Sequence, residues 1–331
     1  MTIRRTVVFA FCVLLVVPSS QAGERSSANT SKRESGYVTT ADGVRLFYQK
    51  VGNGKQTVII PAALFLADDF RQLADGRTLI FYDMRNRGRS DAVNDMSKVT
   101  IDEDVRDLEA IRAHFRVKSF STIGYSYLGL MVMLYAKEHP DRVERVVQLG
   151  PVPLKFGTEY PPQFTNKDDE KIVDGAKYRE MKKLESEGYD RSHPREYCEM
   201  QWDVLRVRLV GDPAHVERLR NSNCDLPNEW PVNLNRHFEA HFTSVQKLDV
   251  PWSDMQRVKV PVLTIHGTKD RNAPYGSGRE WASKLPNARL LTVEGAAHNS
   301  WVDAPEIIFP AVREFLNGKW PQAAKKVSLK E

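Results

Sequence analysis

Apolar positions along the chain follow two rhythms. Short runs rich in β-branched residues at Thr57–Ile60, Thr78–Tyr82, Phe120–Gly124, Val143–Leu149, Val260–Ile265 and Leu290–Val293 predict buried strands. Between them lie helical patterns. In Thr100–Phe115, Ile101, Val105, Leu108 and Ile111 share a face, Thr100 is placed to cap the start, and Asp102 to Asp104 fill the first turn. Leu128–Lys137 is apolar all round and stops at His139-Pro140, and helices are predicted around Gly278–Lys284 and Pro305–Leu316. Upstream, Tyr37–Thr40 and Val44–Val51 flank Asp42-Gly43 as a hairpin. Strands alternating with helices predict an α/β fold, a mostly parallel sheet with helices on both faces.

The rhythm breaks after Pro151. Residues 167–187 carry 13 charged side chains in 21 positions, with no β-branched run among them. A further helix is expected from Ser192-His193-Pro194, with Cys198, Trp202, Leu205 and Leu209 on one stripe and Gly211-Asp212-Pro213 closing it. The organisation expected is therefore a core over residues 37–152 and 253–320, interrupted by a helical lid at 153–252.

The N-terminus reads as a separate segment. Arg4-Arg5, a 12-residue apolar run from Thr6 to Val17, and small residues at Ser20 and Ala22 have the three-part form of a secretory signal. The run is short of the roughly 20 residues that span a bilayer, so cleavage near Ala22 and export are expected rather than a stable membrane anchor. Ser-rich residues 23–36 read as a flexible lead-in. In an oxidising compartment Cys198 and Cys224 are candidates for a disulfide, with two unpaired buried thiols as the alternative.

Composition adds exclusions. The 331 residues are 41% hydrophobic and 27% charged, which excludes disorder or coiled coil for the bulk. The net charge of +5 is scattered rather than gathered on one segment, so nucleic acid is not an expected partner. No Gly-rich phosphate loop follows a strand, and no nucleotide cofactor is implied. His237 and His241 have helical i, i+4 spacing, but Glu239 falls one position late for a zinc-protease helix; a lid helix accounts for them and no metal is expected.

The chemistry gathers at Gly124-Tyr125-Ser126-Tyr127-Leu128-Gly129, between a buried strand and an apolar helix. A tight strand-to-helix turn there would expose the Ser126 hydroxyl at a helix N-terminus. In this context the chain resembles the α/β-hydrolase superfamily from about Tyr37 to Leu316, and within it the proline-iminopeptidase-like lidded hydrolases. The family's G-x-S-x-G has Leu128 at its second glycine here, a side chain able to crowd its neighbours. The family's chain order of Ser, acid and His is met by Asp270 in Gly267-Thr268-Lys269-Asp270, after one strand, and by His298, after the next. The resemblance thus implies a Ser126–His298–Asp270 triad in which His298 takes the serine proton and Asp270 fixes its tautomer.

The resemblance also implies two oxyanion donors: the backbone N–H of Tyr127, and one after the strand Thr57–Ile60. At the second place the family's His-Gly is replaced by Pro61-Ala62-Ala63-Leu64, with Leu64 as the expected donor and Ala63 as the alternative alignment. Tyr82-Asp83-Met84-Arg85-Asn86-Arg87-Gly88-Arg89-Ser90 resembles a family loop and is read as scaffold. The expectation is an exported, cofactor-free serine hydrolase acting on a small ester or amide, or on a short peptide, with its oligomeric state open. Two alternatives stand beside it: a proline-iminopeptidase-type aminopeptidase, its substrate ammonium met by a lid carboxylate such as Glu159, Glu170, Glu196, Glu199 or Glu239, and an exported ligand-binding protein with a relic triad.

Overall fold

The computed structural model describes residues 33–328 apart from Lys167 and Asn221. The signal segment at 1–22 and the lead-in up to residue 32 lie outside the described residues. The rest of the lead-in is not a coil: β1 (Glu34–Thr39) starts before Tyr37, with Glu34, Ser35 and Gly36 paired to Lys50, Gln49 and Tyr48 of β2 (Arg45–Val51).

The sheet continues with β3 (Gln56–Pro61), β4 (Arg77–Tyr82), β5 (Phe120–Tyr125), β6 (Val143–Leu149), β7 (Val262–Gly267) and β8 (Ala288–Val293). Their spatial order is β1-β2-β4-β3-β5-β6-β7-β8; β1–β2 and β2–β4 pair antiparallel, and every later pairing is parallel. The order reverses between β3 and β4, so β3 faces β5 across the centre.

Strand side chains divide between two apolar layers as a period of two requires. Val58, Ile60, Leu79 and Phe81 face one layer; Ile59, Ile80 and Tyr82 face the other. The first is completed by α1 (Ala63–Phe70) and the amphipathic α12 (Pro305–Leu316), the second by α2 (Ile101–His114) and α3 (Tyr127–Glu138). Thr100 caps α2, its Oγ1 accepting the Glu103 N–H at 3.2 Å, worth about 1 kcal/mol.

Between β6 and β7 run α4 (Asp169–Ile172), α5 (Gly175–Ser186), α6 (Tyr189–Ser192), α7 (Pro194–Leu205) and α8 (Pro231–Gln246), followed by α9 (Trp252–Met255). α7 is shorter than the stripe to Leu209 suggested; Arg206–Leu209 tightens into a 3-10 turn. The Sγ atoms of Cys198 and Cys224 are bonded, with Cα atoms 5.7 Å apart. A second tie joins this insertion to the core: Glu229 takes Nε and Nη2 of Arg87 at 2.9 and 2.8 Å and the Gly88 N–H at 2.8 Å, all buried. A third is the Asp303 carboxylate of α11 (Ser300–Asp303), which accepts the Gly211 N–H at 2.9 Å and the Ala297 N–H at 2.8 Å. Helix α10 (Tyr275–Lys284) lies between β7 and β8 in the chain.

Candidate active site

Strands β5, β7 and β8 run parallel, so their C-terminal ends lie along one edge of the sheet, where open α/β sheets bind ligands. Ser126 stands between β5 and α3 with φ 57° and ψ −125°, a backbone state that costs a non-glycine residue roughly 1–3 kcal/mol. Its N–H is held by the Leu149 carbonyl of β6 at 2.9 Å, and its carbonyl accepts the Gly129 N–H at 2.9 Å. Gly124 permits the turn, since a Cβ there would come within 2.3 Å of the Leu128 carbonyl oxygen. The Leu128 side chain is buried in the apolar layer to which α3 belongs. Gly129 meets the Pro151 ring instead, where a Cβ would approach to 2.9 Å.

Asp270 and His298 meet directly: Nδ1 of His298 lies 2.7 Å from Oδ2 of Asp270, and both side chains are buried. With Nδ1 donating to the carboxylate, Nε2 is left as the basic nitrogen. Oδ1 of Asp270 accepts the N–H groups of Asn272 and Ala273 at 2.8 and 2.9 Å. Burial alone would raise the Asp270 pKa, but the facing His298 and the donated hydrogen bonds outweigh it and hold the carboxyl far below its usual range. The Tyr125 ring packs on the His298 ring with centroids 4.7 Å apart, and its hydroxyl donates to Asn299 Oδ1 at 2.6 Å.

Gly150, which follows β6, completes this contact. Its φ is +50°, and a Cβ there would lie 3.0 Å from Asp270 Oδ2 and 3.2 Å from His298 Nδ1. The sequence reading passed over it, although a glycine and proline directly after a buried strand were a visible signal.

The second expected donor needs correction. Leu64 N–H is already donated to Oδ1 of buried Asp83 at 2.7 Å, so it is not free for an oxyanion. Ala62 adopts the left-handed conformation (φ 68°, ψ 53°), and α1 begins at Ala63, whose N–H, first in the helix, has no partner within it. Ala63, the alternative alignment, and Tyr127, first in α3, each carry an N–H without a partner inside the helix it begins. Asp83 is pushed up to about 6 by burial, against the Arg89 and Leu64 N–H groups that favour its charge.

His237 and His241 are both buried, His241 against Tyr127. His241 Nε2 lies 3.0 Å from Asp104 Oδ2, its ring stacks parallel to that of His237, and the Tyr127 ring sits 4.3 Å away. Burial, with Arg87 and His241 adding to it, lowers the His237 pKa to about 2, so that ring is neutral.

The insertion, with Phe65 and Asn272 of the core, borders a half-open cavity of about 270 Å³ whose wall combines Trp202, Leu205, Leu209, Leu234 and the Cys198–Cys224 bridge with polar Gln201, Arg206, Arg208 and Glu229. Phe65 follows the Ala63 turn, Asn272 at the cavity wall bonds Asp270 through its N–H, and the Leu209 carbonyl accepts the Asn299 N–H beside His298 at 2.8 Å. A second hollow of about 400 Å³ reaches Asp270 and has Glu159 and Tyr160 on its wall.

The family described as alpha/beta hydrolase fold matches residues 66–305. The chain is 27% identical over 299 residues to a non-heme chloroperoxidase of Streptomyces lividans, covering 85% of this chain and 99% of the relative. It is 32% identical over 296 residues to a Mycoplasma pneumoniae protein provisionally named a proline iminopeptidase, covering 82% and 94%. Among solved structures, the 2-hydroxy-6-oxo-6-phenylhexa-2,4-dienoate hydrolase of a Rhodococcus species aligns with a TM-score of 0.64 at 18% identity, over 86% of this chain and all of that one. An esterase of Exiguobacterium antarcticum gives 0.63 at 14% identity, over 86% and 100%. At such identities the structures speak for the fold alone.

Proposed function

The chain belongs to the α/β-hydrolase fold family, and we propose that within it the protein is a serine acyl hydrolase that cleaves a small ester or amide. The observation that carries this is the His298–Asp270 pair, buried and 2.7 Å apart, at the same sheet edge as the strained Ser126 turn. In this reading Nε2 of His298 takes the Ser126 proton as Oγ bonds to the substrate carbonyl carbon. The resulting oxyanion lies against the N–H groups of Tyr127 and Ala63. Collapse expels the alcohol or amine, which leaves with the proton from His298. Water, deprotonated by the same nitrogen, then attacks the acyl-serine and releases the acid.

A proline-iminopeptidase-type aminopeptidase is the second reading, and the comparisons lend it more than they lend the ester reading: the 32% relative carries that name, as does a 23% relative from Lactobacillus helveticus. Of the lid carboxylates considered for a substrate ammonium, Glu159 lines the hollow that reaches Asp270, whereas Glu199 accepts the Ser222 hydroxyl. Export with cleavage after Ala22 remains part of the proposal. A panel of p-nitrophenyl esters and aminoacyl-β-naphthylamides, run on the protein and on Ser126→Ala, tests the reading. Turnover abolished in the variant is expected; prolyl-β-naphthylamide exceeding short-chain esters in kcat/KM would favour the aminopeptidase, and turnover surviving in the variant would overturn both.

A further inference from the structure

A second histidine reaches the acid from the side opposite His298. His266, on β7, is fully buried, and its Nε2 lies 3.1 Å from the Ala273 carbonyl oxygen and 3.1 Å from Asp270 Oδ2. Both neighbours are acceptors, so Nε2 must carry the proton. The opposite nitrogen, Nδ1, has no hydrogen-bond partner among the described residues, and it faces the backbone of α10: a Cβ on Gly278 would stand 2.4 Å from it. The ring is therefore closed in on one side by helix backbone and on the other by the turn Asp270–Ala273.

The geometry points to His266 as a positioning residue for the acid, a role that rests on the triad reading of Asp270 and His298. Oδ2 of Asp270 has two lone-pair directions. One receives His298 Nδ1–H at 2.7 Å; His266 Nε2–H donates to the Ala273 carbonyl at 3.1 Å and lies 3.1 Å from Oδ2 as well. His266 thereby fixes both ends of the acid turn to the end of β7 and draws off part of the carboxylate charge that would otherwise act on His298. The groups facing this unit are few. Tyr275 meets the His266 ring edge-on at 5.8 Å, but its hydroxyl is bonded to Thr292; on the other side the Tyr125 ring covers His298. No lysine or arginine is bonded to the Asp270 carboxylate among the described residues; the side-chain nitrogens within hydrogen-bond distance of it there are those of His298 and His266.

The consequence is a defined direction. Without the His266 proton the Asp270 charge bears wholly on His298, the imidazolium is stabilised, and the acidic limb of the kcat/KM profile moves up. For His266→Phe an upward shift of about half to one pH unit is expected, with a roughly tenfold to hundredfold loss of kcat/KM at neutral pH from the loosened turn. His266→Gln, whose amide nitrogen reaches the place of Nε2, is expected to return the limb to that of the wild type. An unmoved limb in His266→Phe, or a limb equally shifted in His266→Gln, would overturn the role. Nitrogen-15 NMR of the histidine-labelled wild-type protein gives a readout independent of turnover and of any variant's folding: His266 with its proton on Nε2 is expected. A neutral ring with its proton on Nδ1 would contradict the proposal while leaving the hydrolase reading standing; a protein that turns over no ester or amide, with His266 in the expected tautomer, would fail the hydrolase reading instead.

Discussion

The sheet edge and the helical insertion hold their polar groups in different ways. At the sheet edge, position is set by backbone: Ser126 is pinned by the Leu149 carbonyl, Asp270 by two N–H groups of its own turn, and the His298–Asp270 pair by the bare Cα of Gly150. The helix behind it, α3, buries every residue from Tyr127 to Ala136. The insertion buries far less. Helix α5 buries Met181 alone among its residues, α7 only Tyr197, Cys198 and Val204, and the insertion's ties to the core run through side chains, among them Glu229 to Arg87, His241 to Asp104, Asn228 to the Ser90 carbonyl and Asp303 to Gly211. A site built on packed strands is held to fractions of an ångström, while a cover held by a few ties can change its inner wall without disturbing the chemistry.

That contrast is open to attack at several points. The largest effect is expected at Gly150. Gly150→Ala puts a methyl in contact with both Asp270 and His298 at a φ that disfavours alanine, and we expect kcat to fall by roughly two orders of magnitude. Chemical denaturation should register a smaller loss; a variant with unchanged kcat would remove backbone placement from the account. On the insertion side, Glu229→Gln leaves the Arg87 guanidinium buried without its counter-charge, a change that typically costs about 3–5 kcal/mol. Limited proteolysis should then cut first between residues 206 and 230, and equal protection of that segment in both proteins would argue against this tie.

Opening the Cys198–Cys224 bridge should matter less for the core. In the chain-entropy model a loop of this size contributes about 3 kcal/mol, here confined to the wall of the cavity. Reduction is therefore expected to raise KM more than it lowers kcat or the melting temperature of the sheet; intact mass after alkylation without reductant should find no free thiol at either position. The smallest effect concerns Glu109 of α2. Burial opposes its charge, but hydrogen bonds from Arg112, Tyr135 and Arg142 outweigh it and hold the pKa down at about 2. A carboxyl depressed in the folded state adds stability above its unfolded pKa and loses it as pH falls through the folded value. Glu109→Gln should thus lower stability at pH 6 and converge on the wild type near pH 2, as read by urea titration; a constant difference across that range would contradict the assignment.

Much of the sheet edge was legible in the sequence because burial on both faces forces continuous apolar strands, and because Ser126, Asp270 and His298 each follow one. The α/β architecture and the helical insertion could be read for the same reason. What escaped was set by backbone. Helix α1 begins without a capping side chain, its N-cap being left-handed Ala62, although Ala63, Leu66, Ala67 and Phe70 carry helical spacing. The loss of Leu64 as a donor depends on Asp83 arriving from the next strand, a contact that no local pattern announces. His266 was placed just after the expected strand Val260–Ile265 and given no role, since its approach to Asp270 depends on that turn folding back on it. In the insertion, residues 206–230 form short turns with little burial, so neither apolar period applied, and the partnership of Glu229 with Arg87, 142 positions away, was invisible.

The central claim is that Ser126 is an activated nucleophile whose base is His298. A fluorophosphonate probe incubated with the wild type, Ser126→Ala and His298→Ala, followed by intact-mass and peptide analysis, tests it most directly. The account predicts one adduct per chain, located on Ser126, in the wild type; none in Ser126→Ala; and labelling slowed by at least roughly a thousandfold in His298→Ala. An unlabelled wild type, or a His298→Ala protein that labels as fast as the wild type, would contradict it and leave a hydrolase fold that binds without cleaving.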